Sequence, residues 1–503
     1  MLEGVCAGGG LCRRGGRPQP RTGSGLRSHA RHRRVISGPP ASDRSAAEAG
    51  WQDSWRGDAL VVALVMVVVV AFNWLHVGAY QTLSPVDEFQ HVDYLYKAGK
   101  GQMVGRGDLV GDEAMHEEAC RGVDAPGFEM PCKPIGSYHP SQFQEGGQNT
   151  AYIHSPVYYF GTAWVGKAIA RATPIDNLFK AARLLGPMWV LPALLLMVPT
   201  MRRLGAGIVA RVAAGILAVT FPTVLHATST VNPDATALLG GALVLCVPVL
   251  LAGRWTRPGG RVVDGLAAAA SMALKPSNLV VLIAGAWMRT DLSIGPARAD
   301  SDVPDTQDRL RPGPALSRSV SAVLPMLLGA GVVSAVMLVV QARLARSEPD
   351  DIQMLHRYTV EAFPWGPFAE SFLSTGQFSA AGESSNYLAP FLRLPFIVVS
   401  SAVIAFASLV VTVAAALRSD RTAAMARSVL IATLLGGPAL IAVNFILQGI
   451  FVYIPVRYYM SLIPGVVVVG AATVGRWRHG PHALAAVAVV WSGALAFALI
   501  AAQ

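Results

Sequence analysis

The fold is decided by ALVVALVMVVVVAFNWLH, residues 59–76, in which no side chain carries a formal charge. About 18 such residues suffice to cross the hydrocarbon core of a bilayer as a helix. The whole chain has the same character, because 52% of its 503 residues are hydrophobic and only 14% are charged. Soluble domains carry about 25% charged residues. We therefore expect a protein whose solvent is the membrane.

Uncharged runs recur along the chain and predict an all-α, polytopic transmembrane bundle of about eleven spanning or half-spanning helices. This transmembrane domain should occupy residues 58–503. Besides 59–76, the runs are 184–200, 207–226, 234–252, 262–273, 277–288, 320–340, 391–417, 428–451, 456–474 and 483–502.

Residues 1–57 are rich in Gly and Arg and lack the apolar content of a core, so we predict a disordered tail. No A-x-A-like cleavage site precedes the first run, which predicts that this span is retained. Lys and Arg cluster in the tail and in short loops between the runs, a pattern that sets topology. The net charge of +10 therefore does not indicate nucleic acid. We expect the tail and these loops on the cytoplasmic side of the plasma (inner) membrane.

That topology requires two local features. Residues 156–171, with their aromatic and basic side chains, should lie along the interface. Residues 262–288 should run toward the outer face of the membrane and back again, with the reversal at Lys275-Pro276. Proline removes a backbone donor there, and lysine is costly at mid-bilayer. Two long loops, 77–154 and 341–390, then fall on the extracytoplasmic side. A first loop of that length more often carries a function than serves only as a connection between helices.

The first outer loop contains two cysteines, Cys120 and Cys132. A disulfide between them suits an extracytoplasmic location. Two unpaired thiols fit the sequence equally well, because nothing in it fixes their geometry.

Candidate chemical groups lie at the outer ends of the predicted helices. Asp87 and His91 are one helical turn apart, with Glu88 beside Asp87. They could supply a general base or bind a divalent ion, and they also fit a solvated helix N-terminus. The other candidates are His154, Tyr158, Tyr159, Asn232, Asp234, Lys275, Arg457 and Tyr458.

Two cations belong to this set. Lys275 interrupts an apolar stretch, and an ionisable group at membrane depth indicates function by default. Neither Lys275 nor Arg457 has an acid beside it in the sequence, so together they could hold a lipid phosphate. Arg457 also fits an interfacial anchor, and Asn232-Pro-Asp234 an ordinary turn and helix cap.

The motifs, taken in order, resemble those of a family of predicted bacterial membrane proteins of unknown function. That family is similar to the GT-C glycosyltransferases, which include protein mannosyltransferases and aminoarabinose transferases. The resemblance covers about residues 59–464. The chain departs from the family pattern at Val86, at Ser155 and at Val456. The motifs are Asp87-Glu88-x-x-His91, His154-Ser-Pro-x-Tyr-Tyr, Asn232-Pro-Asp234, Leu274-Lys275-Pro276 and Arg457-Tyr-Tyr-x-x-x-Ile-Pro464.

The resemblance implies inverting transfer of a sugar from a polyprenyl-phosphate donor to an extracytoplasmic glycan, lipid or protein. It implies that Asp87 is the base, that Asp234 is the second acid, and that Glu88 and His91 position the acceptor or a divalent ion. Lys275 and Arg457 would neutralise the leaving phosphate. The implied partners are the donor and membrane lipids, and a divalent ion at Asp87 and His91 is the one cofactor considered.

Other classes remain open. A transporter or lipid flippase would show broken helices in matching halves, whereas this chain has one convincing break, at Lys275-Pro276. An O-antigen ligase or polymerase would concentrate Arg and His in the late outer loop. A purely structural membrane protein is a third alternative. The late loop contains Arg343, Arg346, His356 and Arg357.

Overall fold

Helices build the molecule, a computed structural model, and its described residues contain no β-sheet beyond isolated bridges. The structure describes residues 41–175, 177–251, 254, 257–294, 315–346, 357–373, 376–378 and 388–503. The first helices are α1 (Ala41–Ala79), α2 (Glu88–Gly99), α3 (Asp112–Arg121), α4 (Pro156–Ala172), α5 (Leu178–Arg183), α6 (Gly186–Arg203), α7 (Ile208–Thr220), α8 (Pro222–Ser229) and α9 (Ala237–Leu250). The others are α10 (Pro258–Leu274), α11 (Leu279–Ile294), α12 (Ala315–Leu344), α13 (Trp365–Ser371), α14 (Pro395–Ala416), α15 (Arg421–Gln448), α16 (Ile463–Val474) and α17 (Gly480–Ala501).

Within these described ranges, eight helical stretches are long and apolar enough to cross a bilayer. A ninth consists of α7 and α8, bent by 62° where Pro222 begins α8, a position that tolerates its missing N–H. The remaining apolar pair, α10 and α11, is shorter, at 17 and 16 residues. Each of the eleven predicted segments overlaps one of these helices. The prediction of an all-α, polytopic membrane protein is confirmed.

The predicted tail is described only in part, because residues 1–40 lie outside the described residues. Helix α1 begins at Ala41, inside the stretch predicted to be disordered. The sequence there contains Ala46, Ala47 and Ala49, and alanine is the strongest helix former. Local helix propensity thus extends α1 upstream of the apolar run.

Ion pairs gather several loops at one end of the bundle, here called the basic end. Asp58, at the start of the first span, pairs with Arg202 after α6 and with Arg211 in α7. Asp420 precedes α15 and pairs with Arg476 after α16, and Arg476 also reaches the loop that follows α6. These are loops that the Lys/Arg pattern assigns to one side, so the predicted alternation of the spans agrees with the geometry.

The chain reverses direction between α10 and α11. Arg289 in α11 forms a buried, bidentate ion pair with Asp264 in α10. Two helices in one straight line would hold these residues more than about 30 Å apart, at 1.5 Å per residue. The turn contains Lys275, which has extended backbone, and the Asn278 amide closes it by donating to the Ser271 carbonyl. The reversal predicted at Lys275-Pro276 is therefore present, at the end of the bundle opposite the basic end.

The first long loop folds into a lobe at that opposite end, here called the site end. Its core includes Phe89, Met115 and Tyr159, from α2, α3 and α4. Helix α4 packs on α2, and its position along the interface stays a prediction. Within the lobe, Cys120 is bonded to Cys132, which decides the alternative left open by the sequence.

We predict that the site end faces away from the cytoplasm. In a chain whose Cys6, Cys12 and Cys246 are replaced by Ser, Ile135→Cys in the lobe should react with an impermeant thiol reagent in intact cells. Leu417→Cys, after α14, should react only after permeabilisation. Both side chains are exposed, so access rather than burial decides the result. Labelling of Leu417→Cys alone in intact cells would invert the topology.

Candidate active site

Asp87 begins α2 in an unusual backbone conformation. Its φ is 64° and its ψ is −7°, which is the left-handed region. Such residues cluster at functional sites, where the surrounding structure holds them. The side chain makes no capping hydrogen bond to α2. Instead its Oδ2 accepts a hydrogen bond of 2.9 Å from Nη2 of Arg457, which argues against the solvated helix N-terminus.

Asp234 is more deeply buried in the bundle than Asp87. Its Oδ1 forms an ion pair with Nζ of Lys275, and its Oδ2 lies 3.7 Å from Nε of Arg457. All three side chains are buried, whereas 46% of the Asp87 side chain is exposed. The charges alternate in the order Asp87, Arg457, Asp234 and Lys275, and buried charges persist when they are paired in this way.

Four separate parts of the chain meet at this site. They are the start of α2, the turn before α9, the reversal after α10, and the 3-10 turn Val456–Leu462 before α16. The ring of Tyr458 lies 4.7 Å from Nζ of Lys275 and 5.7 Å from the Arg457 guanidinium carbon, within range of cation–π attraction. The two acids and the two cations predicted from the sequence thus form one cluster at the site end.

The two histidines of the predicted site lie beside this cluster. The rings of His91 and His154 are 5.0 Å apart, and Nδ1 of His91 lies 2.7 Å from the Tyr159 hydroxyl. Burial lowers the pKa of His91 well below its ordinary value, and Arg457 and Lys275 lower it further. Burial, His91 and Lys275 do the same to the pKa of His154. Both imidazoles are therefore neutral and add no charge to the site.

Tyr158 and Asn232 support the turn that carries Asp234. The backbone N–H of Asn232 donates to the Tyr158 hydroxyl at 3.0 Å, and the Asn232 side chain accepts from the N–H of Asp234 at 2.8 Å. Both side chains are buried, as is that of Tyr159. Tyr158 and Asn232 therefore hold the turn that carries Asp234, whereas Tyr159 contacts His91.

Glu88, predicted to be catalytic, is fully buried and accepts four hydrogen bonds. Two come from Nε and Nη2 of Arg183, one from the N–H of Ser84 and one from the N–H of Val231. The carboxylate therefore ties the start of α2 to α5 and to the turn that precedes Asp234. Sequence reasoning missed Arg183, and its position at the end of the short helix α5 gives no signal of a partner 95 residues away.

No group of three or more His, Cys, Asp or Glu side chains in the described residues is arranged to hold a metal ion. The ion considered for Asp87 and His91 has no such set of ligands there, because Asp87 faces Arg457 and His91 faces Tyr159.

Cations of the late loop contact the lobe instead of the charged cluster. Arg346 pairs with Asp108, and Arg357 pairs with Glu145. Arg343 is the basic residue in the last turn of α12, and His356 lies outside the described residues. The concentration of Arg side chains expected of a ligase site is thus not found in the described part of this loop.

Two solved structures resemble this chain. One is ArnT from Cupriavidus metallidurans bound to undecaprenyl phosphate, with 14% sequence identity and a TM-score of 0.41 over 83% of this chain and 60% of that chain. The other is the apo state of the same protein, with 16% identity and a TM-score of 0.34 over 86% of this chain and 78% of that chain. No family model and no curated protein matches the chain.

Proposed function

We propose that this protein is a GT-C-type membrane glycosyltransferase that moves a sugar from a polyprenyl-phosphate donor to an acceptor hydroxyl. The observation that carries this proposal is the contact between Asp87, Arg457, Asp234 and Lys275 at one end of the bundle. Such a site combines an accessible carboxylate with two cations at the level where a lipid phosphate presents its headgroup.

In the proposed reaction, Asp87 accepts the proton of the acceptor hydroxyl as that oxygen attacks the anomeric carbon. The bond between the anomeric carbon and the phosphate oxygen breaks, and the phosphate leaves with the electron pair. Arg457 and Lys275 stabilise the negative charge that grows on the leaving phosphate. One displacement of this kind inverts the anomeric centre and requires no covalent enzyme intermediate.

The ion pair between Asp87 and Arg457 couples the two substrates. A donor phosphate that binds Arg457 competes with Asp87 for the same guanidinium. Once released, the Asp87 carboxylate is available to the acceptor. Glu88 is assigned a positioning role in this scheme, because Arg183 and two backbone N–H groups already occupy its oxygens.

The protein is proposed to lie in the plasma membrane with its N-terminus in the cytoplasm, so that the site end faces outward. The donor, a polyprenyl-phosphate-linked sugar, would reach the site from the outer leaflet. The acceptor would be a glycan, a lipid or a protein of the cell envelope.

Purified protein in lipid nanodiscs should release polyprenyl phosphate from at least one member of a panel of polyprenyl-phosphate sugars. Release should require an acceptor hydroxyl. In parallel, the same donors are placed in one leaflet of protein-containing vesicles. Movement of intact donor to the other leaflet, without cleavage, would favour the flippase over the transferase.

A further inference from the structure

Part of the late loop runs back along α15 rather than away from it. Thr359 forms a β-bridge with Ile450, just beyond the end of α15 at the site end. Phe363 then packs edge-to-face on Phe445 in the last turn of α15, with ring centroids 5.2 Å apart. Further on, Ser371 lies against Gly437, where an added Cβ would come within 3.1 Å of the Ser371 Cβ.

The step from Phe445 to Gly437 covers about 12 Å along the helix axis. Gly437 is nearer to the middle of α15 than to its end, and its missing side chain permits the close approach of Ser371. The next described residues stay inside the bundle and do not return toward the site end. Gly376 contacts the ring of Tyr459, and Phe378 is buried in the main core. Residues 358–373 therefore descend along a membrane-spanning helix, and we call them the descending segment.

The chain returns to the site end afterwards. Leu388 and Ala389 are buried together with Tyr80 and Phe391, next to the end of the first span. A path that enters and leaves at the same end of the bundle is that of a re-entrant element. Non-helical backbone is tolerated at membrane depth where protein covers it, and α15 provides that cover for this segment.

The outer face of the descending segment is apolar. Trp365, Ala369 and Leu373 follow at four-residue spacing and are exposed, Trp365 to 71% and Leu373 to 84%. Next to this stripe, Phe368 is half-buried and packs on Phe363, which contacts Phe445 of α15, and Phe372 packs on Phe368. Glu370 is exposed beside the stripe, and an apolar stripe with a charged edge is the pattern of a helix at the lipid–water boundary.

Exposed apolar side chains also occur in the last turn of α15, beside the Phe445 that Phe363 contacts. Ile446 and Leu447 of that helix are 75% and 60% exposed, as expected of side chains that face lipid in a spanning helix. We propose that the descending segment is embedded in the leaflet at the site end, with Trp365, Ala369 and Leu373 against lipid acyl chains. This places part of residues 341–390 in the membrane instead of in water, and it does not depend on the proposed reaction.

Spin labels test the proposal through their collision rates with oxygen, which concentrates in lipid, and with a water-soluble nickel chelate. Labels at Ala369→Cys and Leu373→Cys are compared in nanodiscs with two references, all in a chain lacking Cys6, Cys12 and Cys246. Phe406→Cys, in the middle of α14, is the lipid reference, and Ile135→Cys, in the lobe, is the water reference. Both reference side chains are well exposed.

We expect the two test positions to favour oxygen over the chelate as Phe406→Cys does. A chelate accessibility equal to that of Ile135→Cys at both positions would place the segment in water and overturn the proposal. Low collision rates with both reagents would mean that protein covers the stripe, either a second copy or another part of this chain, and would overturn it as well. Because both substituted side chains are exposed, neither change should disturb the fold, and equal melting temperatures verify this.

Discussion

Asp87→Asn is expected to lower kcat for sugar transfer by about 10²- to 10⁴-fold, the usual contribution of a general base. The amide keeps the size of the carboxylate and can still accept a hydrogen bond from Arg457. Asn also tolerates the left-handed backbone that position 87 adopts. The folded structure should therefore persist while proton acceptance is lost.

The measurement is turnover of a polyprenyl-phosphate sugar by purified protein, together with the melting temperature. Asp112→Asn is the matched control, because Asp112 is an exposed carboxylate in the same lobe, at the start of α3. The control should keep full turnover. Wild-type kcat in Asp87→Asn would remove Asp87 from the mechanism.

Lys275→Met is expected to destabilise the folded protein by up to about 3–5 kcal/mol, because it breaks a buried ion pair and leaves the buried Asp234 carboxylate with only the longer contact of 3.7 Å to Arg457. If Lys275 were a lone lysine in an apolar stretch, its removal would instead stabilise the protein. The pairing with Asp234 reverses that expected sign.

A double-mutant cycle separates the pair from the rest of the site. Asp234→Asn alone should also destabilise the protein, whereas Lys275→Met combined with Asp234→Asn should recover most of the loss, since no unpaired charge remains. Lys275→Arg, which keeps a cation near Asp234, is the control and should cost less than Lys275→Met. Melting temperatures in detergent provide the measurement, and additive losses in the double variant would contradict the pairing.

The spans could be predicted because hydropathy is a local property. The same holds for the break at Lys275-Pro276, where a proline and a charge interrupt an apolar run. The membership of the charged cluster was predicted from the resemblance, since no single motif indicated which residues would meet. Its pairing could not be predicted, because partners such as Asp87 and Arg457 are 370 residues apart.

Two other features escaped sequence reasoning for physical reasons. Arg183 looked like an ordinary basic residue at a helix end, and only the folded lobe brings it to Glu88. Residues 358–373 were predicted as part of the extracytoplasmic loop 341–390, and their apolar stretch is too short to mark a span. Their position depends on a contact with Gly437, and nothing in the sequence of the segment indicates that contact.

The long sequence separation between Asp87 and Arg457 also determines the order in which contacts can form while the chain is being synthesised. Glu88 can find Arg183 after 95 further residues, so the lobe can assemble early. Asp87 must wait for 370 residues, which at about 5–20 residues per second is on the order of 20–70 s of synthesis. Throughout that interval the nascent lobe exposes a carboxylate whose guanidinium partner has not yet been made. The charged cluster is therefore completed late, after synthesis has passed the turn before α16.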